Sequence, residues 1–162
     1  MAIRSGTTNE QSGTGGFTLI ELLIVIAIMG IIGGMVVFSW QQYVRNVNLK
    51  TAGGSLMADI SLSRQRAVAE GVKYCMQFEE GSSTYTINTP SCDAPDPAVQ
   101  RDLASIDSGL SVSTTTFNSD RIYFQPRGTV SPGTITVRNS RDSKATITIN
   151  ITGRSHVLYS TK

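Results

Sequence analysis

The 162-residue sequence is poor in the side chains from which catalytic and metal sites are built. It has a single histidine, His156, and its two cysteines, Cys75 and Cys92, cannot supply a four-thiolate zinc site. No serine stands in the Gly-x-Ser-x-Gly context of a nucleophile elbow, and no Walker-type phosphate loop occurs. The sequence therefore predicts no catalytic residue, no bound metal and no cofactor.

Charge is almost absent from residues 17–38, the one long apolar run of the chain. As a helix with a rise of ~1.5 Å per residue this run would cover ~33 Å, which is enough to cross a bilayer. Glu21 is the exception, and a lone carboxylate in lipid is costly unless it has a partner or a function. Gly30 and Gly34 form a G-x-x-x-G step that would let helices approach closely, although the general tolerance of membrane helices for glycine explains it equally well.

The apolar period predicts one long helix from Phe17 to about Glu70, with Gly71 as its stop signal. This helix is apolar all round at first and one-sided over residues 39–71. From Val72 the period changes to the alternation of strands, which is clearest at Ile147, Ile149 and Ile151. We predict an α+β fold in which the second half of the helix packs on a small antiparallel β domain, residues 72–162, with residues 89–109 as a loop.

Cys75 and Cys92 are expected to form a disulfide if the β domain lies outside the cytosol. Such a bond would contribute about 3 kcal/mol through the loop that it closes. Two unpaired thiols remain the alternative.

The residues Gly16-Phe17-Thr18-Leu19-Ile20-Glu21, followed by the apolar run, resemble the processing site of the type IV pilin superfamily. The resemblance implies that a prepilin peptidase removes residues 1–16 as a leader and that Phe17 becomes the N-methylated first residue. It also implies that Glu21 acts in assembly, where it could meet the Phe17 amine of a neighbouring subunit. A Glu that lies at the lipid headgroup level without a role in assembly is the less favoured alternative.

A second resemblance narrows the family. Residues 62–71 and the segments 124–128 and 153–154 are similar to sequences of GspH-type pseudopilins and of FimT- and FimU-type minor pilins. Many members of the superfamily have proline where this chain has Phe38, so a proline kink is not expected.

This family resemblance implies a minor pilin that primes or tips a type IV pilus, with a pseudopilin of a type II secretion system as the alternative. The subunit would cross the inner membrane once through residues 17–38, with its C-terminal domain in the periplasm, and would reach the cell surface when assembled in a pilus. Its partners would be other pilins or pseudopilins, the prepilin peptidase, the inner-membrane assembly platform and, before assembly, membrane lipid.

The C-terminal third is basic, since residues 111–162 contain seven basic and two acidic side chains. Some FimT-like pilins are DNA receptors for natural transformation, so the resemblance permits a third hypothesis, DNA binding. Scattered solvated charges on a small β domain are the favoured interpretation. The residues of the DNA hypothesis are Arg127, Arg138, Arg141, Lys144, Arg154 and His156.

Overall fold

The computed structural model describes residues 16–90, 92–93 and 99–162, without the side chains of residues 35–39. The predicted leader, residues 1–16, lies outside these described residues except for Gly16. The chain divides into two compact units, Met1–Trp40 and Gln41–Lys162, and the second is called the body. Helix α1, Leu19–Glu70, contributes residues to both units.

Helix α1 agrees with the predicted span of Phe17 to about Glu70 to within two residues. It ends where Gly71 takes a φ of +69°, the left-handed conformation that commonly stops a helix. Within the body the helix buries one face, whose apolar residues follow one another at intervals of three, four or seven residues. The buried residues of this face are Leu49, Ala52, Leu56, Ile60 and Ala67.

In the described part of the body, eight strands form two antiparallel sheets. The first sheet has the order β3-β2-β1-β5 and the second the order β4-β6-β7-β8. The strands are β1 Tyr74–Phe78, β2 Thr84–Asn88, β3 Val99–Asp102, β4 Ser111–Thr115, β5 Arg121–Phe124, β6 Gly133–Arg138, β7 Lys144–Ile149 and β8 Ser155–Ser160. Short 3-10 helices occupy Leu103–Ser105 and Asn118–Asp120. The predicted α+β fold, a long helix packed on a small antiparallel β domain, is confirmed.

Among the residues whose side chains the structure describes, the buried core lies wholly within the body. Its members run from Leu49 on α1 to Ile149 on β7, and they include the inward residues of both sheets, such as Met76, Phe124 and Ile135. None of them precedes Gln41, so the body has its own core and can fold without the residues before it.

Cys75 and Cys92 are joined by a disulfide, with their Cα atoms 5.4 Å apart. The expected bond is thereby confirmed. It links the fully buried start of β1 to the loop that follows β2. That loop contains the cis peptide bond between Thr89 and Pro90.

Two parts of the strand prediction were wrong. Residues 89–109 were expected to be a loop, but they contain β3 and a 3-10 helix. The four side chains of β3 are all exposed, so the sequence has no alternating apolar pattern there. The strand with the clear isoleucine alternation also ends earlier than predicted. This strand, β7, ends at Ile149, and Ile151 is 60% exposed in the turn that follows. The Asn150 side chain accepts a hydrogen bond from the Arg154 amide, which favours a turn over a longer strand.

Candidate functional site

The start of α1 is organised by Thr18 and Glu21. The Thr18 hydroxyl accepts a hydrogen bond from the Glu21 amide at 3.3 Å, and the Thr18 carbonyl accepts one from the Leu22 amide at 3.2 Å. Thr18 is therefore the N-cap, and Glu21 stands three residues later, as in a capping box. A carboxylate in the first turn also interacts favourably with the positive end of the helix dipole. Glu21 thus has a local role at the helix start, whether or not it acts in assembly.

The described side chains of α1 before Gln41 are exposed and mostly apolar. Phe17, just before the helix, is 86% exposed. Gly30 and Gly34 also face open space, since a Cβ on either would have no neighbour within 4 Å. The other large apolar residues exposed here are Leu19, Ile20, Leu22, Leu23, Ile24, Val25, Ile26, Ile28, Met29, Ile31, Ile32 and Trp40.

Among the described residues, no helix has the length and apolar character that a membrane crossing requires. The predicted anchor, residues 17–38, includes Met35–Phe38, whose side chains lie outside the described set. The single-pass anchor and the roles of Gly30 and Gly34 stay predictions.

In the body, Arg64 of α1 contacts two turns of the β domain. Its Nε donates a hydrogen bond to the Gly128 carbonyl at 2.9 Å. A Cβ on Gly153, whose φ is +76°, would lie 2.5 Å from the Arg64 Cδ. The three segments that resemble the GspH, FimT and FimU sequences, residues 62–71, 124–128 and 153–154, therefore contact one another in the fold. Arg127 and Arg154, beside the two glycines, are exposed.

The six residues of the DNA hypothesis are all exposed, but they fall into two groups. Arg138 and Lys144 are paired directly across the β6–β7 hairpin, next to its turn, and Arg141 lies in that turn. Arg154 and His156 lie in and beyond the turn at the other end of β7. Arg127 belongs with them, because Arg64 contacts both its turn, at Gly128, and the turn at Gly153. Since β7 spans the six residues from Lys144 to Ile149, the two groups are separated by roughly 17 Å along the strand.

A groove between α1 and the edge strand β3 was not predicted. Its cavity, about 510 Å³, is lined mainly by polar residues, among them Asp59, Tyr85 and Arg101. The Asp59 carboxylate accepts a hydrogen bond from the Tyr85 hydroxyl at 2.7 Å and one from Arg101 Nε at 3.2 Å. Burial, and then the hydrogen bond to Asp59, raise the pKa of Tyr85 far above its usual value. Across the described residues, no three acidic, histidine or cysteine side chains are grouped to hold a metal ion.

A long helix with an exposed apolar first part and a second part packed on an antiparallel β domain defines the pilin-like class of proteins. Comparison with protein families gives two matches. Residues 52–153 match the model of the type II transport protein GspH, and residues 12–37 match the prokaryotic N-terminal methylation motif. The GspH match covers more than half of the chain, so the chain belongs to the GspH family of minor pilins and pseudopilins.

Solved structures with the same fold include proteins of three bacteria. The minor pseudopilin EpsH of the Vibrio cholerae type 2 secretion system matches with a TM-score of 0.55 and 15% identity over 69% of this chain and 97% of that chain. The type IV minor pilin FimU of Pseudomonas aeruginosa matches with a TM-score of 0.54 and 16% identity, over 68% of this chain and 92% of that chain. GspH of E. coli matches with a TM-score of 0.51 and 19% identity, over 72% of this chain and 91% of that chain. No curated protein sequence matches significantly.

Proposed function

We propose that this protein is a minor structural subunit that assembles through the first part of α1 into a filament of the type IV pilin class. The observation that supports this most strongly is the dense set of exposed apolar side chains from Phe17 to Ile32, in which Glu21 is the one charged residue. In water such a surface is unfavourable, at roughly 25 cal/mol per Å² of apolar area, so it calls for lipid or other helices as partners. The methylation motif matched over residues 12–37 covers the same segment.

Maturation in this proposal begins with a prepilin peptidase that cleaves between Gly16 and Phe17. Phe17 then becomes the N-methylated first residue, directly before the Thr18 cap. Residues 17–38 hold the subunit in the inner membrane with the body in the periplasm, until an assembly platform adds it to the filament. Gly30 and Gly34, which have no neighbour within 4 Å in the isolated chain, would let the helices of adjacent subunits pack closely.

Glu21 is the polar residue of this assembly surface. After cleavage, the amine of Phe17 lies at the positive end of the helix, and the Glu21 carboxylate lies one turn further on. In a packed filament the carboxylate of one subunit would pair with the Phe17 amine of the next, and each charge would be compensated in an apolar surrounding. The N-terminal capping by Thr18 orients the first turn for this contact.

The replacement Glu21→Ala tests the proposal. We expect the variant to remain in the membrane fraction and its incorporation into sheared filaments to fall by an order of magnitude or more, since a buried pair that loses one partner costs about 3–5 kcal/mol. Glu79→Ala, which removes an exposed carboxylate of the body, is the matched control and should assemble normally. Normal incorporation of the Glu21 variant would disprove the assembly role.

The machine to which the filament belongs is a separate question. The family description and the likeness to EpsH favour a type II secretion pseudopilus, whereas the likeness to FimU favours a type IV pilus. We retain the pilus as the first candidate and the pseudopilus as the second. Deletion of the gene would distinguish them, since it would reduce surface pili in the first case and export of folded proteins to the medium in the second.

DNA reception stays a prediction. With the six basic residues in two groups, a single duplex would have to bridge roughly 17 Å along β7 to reach both. A mobility-shift assay with Arg127, Arg138, Arg141 and Arg154 changed to Ala, at low and high salt, tests it.

A further inference from the structure

The β6–β7 hairpin presents three exposed cations at one end of the body. Arg138 and Lys144 are paired directly across the two strands, and Arg141 lies in the turn between them. Asp142 is the one acidic residue of the turn. Within the described part of the chain, no salt bridge includes any of the three cations. Their charge is therefore available to a partner.

The hairpin holds these cations in a defined arrangement. The buried side chain of Asn139 accepts hydrogen bonds from the amides of Arg141 and Ser143, both at 3.0 Å. Like charges placed directly opposite each other on neighbouring strands destabilise a sheet, so the Arg138–Lys144 pair does not serve stability. The turn therefore holds three exposed cations close together although their repulsion lowers stability, and an anionic partner would offset that repulsion.

This end of the body is also where α1 enters it. Arg45 of α1 donates a hydrogen bond to Ser140 in the hairpin turn, and Asn139 donates one to Asn46 at 3.4 Å. Arg45 thereby adds a fourth cation, Lys162 adds a fifth through the hydrogen bond of its amide to Ser143, and Asp107, close by through Asn48, adds a second acid. We call Arg45, Arg138, Arg141 and Lys144 the basic end of the body.

The basic end is tied to the apolar run by a short piece of chain. Arg45 follows Phe38 by seven residues, which span ~10 Å as a helix and at most ~25 Å fully extended. Tyr43, 64% exposed, lies in the same piece, and aromatic side chains of this kind are enriched at the membrane–water interface. If residues 17–38 cross a membrane, the basic end cannot lie far from its surface.

We propose that the basic end binds anionic lipid headgroups and so holds the body on the membrane surface before the subunit enters a filament. The inference rests on the proposed membrane anchor, and it adds a second contact between the subunit and the bilayer. Each Lys or Arg near an anionic surface strengthens binding about fivefold at moderate salt. A lipid partner is favoured over DNA because the tether restricts these cations to the headgroup region.

The test uses the body, Gln41–Lys162, which contains the whole buried core, and measures its co-sedimentation with vesicles. We expect binding to vesicles of equimolar phosphatidylglycerol and phosphatidylcholine, little binding to phosphatidylcholine alone, and loss of binding at 1 M salt, where the Debye length falls to about 3 Å. Changing Arg138, Arg141 and Lys144 to Gln should weaken the anionic binding on the order of 100-fold.

A matched variant removes three other exposed cations, Lys73, Arg127 and Arg154, and should bind the vesicles almost as tightly as the unchanged body. Equal losses in the two variants, or no preference for anionic vesicles, would overturn the proposal. Tighter binding to duplex DNA than to the vesicles, lost in the hairpin variant, would also overturn it in favour of a DNA site. The full chain, reconstituted into both vesicle types, tests the anchor separately: failure to insert would refute the proposed function, whereas insertion without body binding would refute only this inference.

Discussion

The contact between Arg64 and Gly153 predicts a large and specific effect of the substitution Gly153→Ala. Gly153 has a φ of +76°, and a Cβ there would lie 2.5 Å from the Arg64 Cδ and 2.6 Å from its Nε. The left-handed conformation costs a residue with a Cβ about 1–2 kcal/mol. Arg64 must also move, which breaks its 2.9 Å hydrogen bond to the Gly128 carbonyl, and a bond to a charged group contributes about 1.5–3 kcal/mol. We expect a loss of about 3–5 kcal/mol.

Gly81→Ala is the matched control, because Gly81 has a φ of +83° but a Cβ there would meet nothing within 4 Å. The Gly81→Ala substitution should lower the free energy of unfolding only by the energy of the backbone strain. The assay is urea unfolding of the oxidised body followed by circular dichroism, in a double-mutant cycle with Arg64→Ala. In the Arg64→Ala background, Gly153→Ala should cost no more than Gly81→Ala. Equal costs for the two glycine substitutions in the unchanged background, or no coupling between positions 64 and 153, would refute this role of Arg64.

Two further predictions concern the body. Reduction of the Cys75–Cys92 disulfide should lower the free energy of unfolding by about 3 kcal/mol, measured as a lower urea midpoint with and without reductant, and an unchanged midpoint would contradict it. Burial and the Asp59 hydrogen bond raise the pKa of Tyr85, so unfolded chains release this proton from about pH 10 upward while the folded state retains it. Stability should therefore fall as pH rises above about 10, and Tyr85→Phe should make that fall shallower; an identical slope in the variant would contradict the assignment.

The sequence predicted the elements whose residues carry a strong local pattern. The apolar steps from Leu49 to Ala67 gave the second half of α1, and the alternation at Ile147 and Ile149 gave β7. It could not predict β3, because the exposed residues Val99–Asp102 have no apolar alternation and are held by pairing with β2 and by the contact of Arg101 with Asp59. The predicted strand wrongly included Ile151, because the apolar alternation continues through Asn150 although the Asn150 side chain stabilises a turn there.

The candidate sites were predictable where they are continuous in sequence. Gly16, Phe17 and Glu21 lie within six residues of each other and were predicted together, although their roles are still proposals. The groove at Asp59 was not predictable, because Tyr85 and Arg101 are 26 and 42 residues away along the chain. For the basic end, Arg138, Arg141 and Lys144 were named from the sequence as basic residues, but Arg45 was not, because it is 95 residues from Ser140 and meets the hairpin only through packing on α1.

The measurement that tests the central claim most directly is the intact mass and N-terminal fragment sequence of the protein recovered from filaments. The proposed assembly requires a mature chain that begins with an N-methylated Phe17, so that its amine stands one helical turn before Glu21. A chain recovered from filaments that still begins at Met1 would contradict the account.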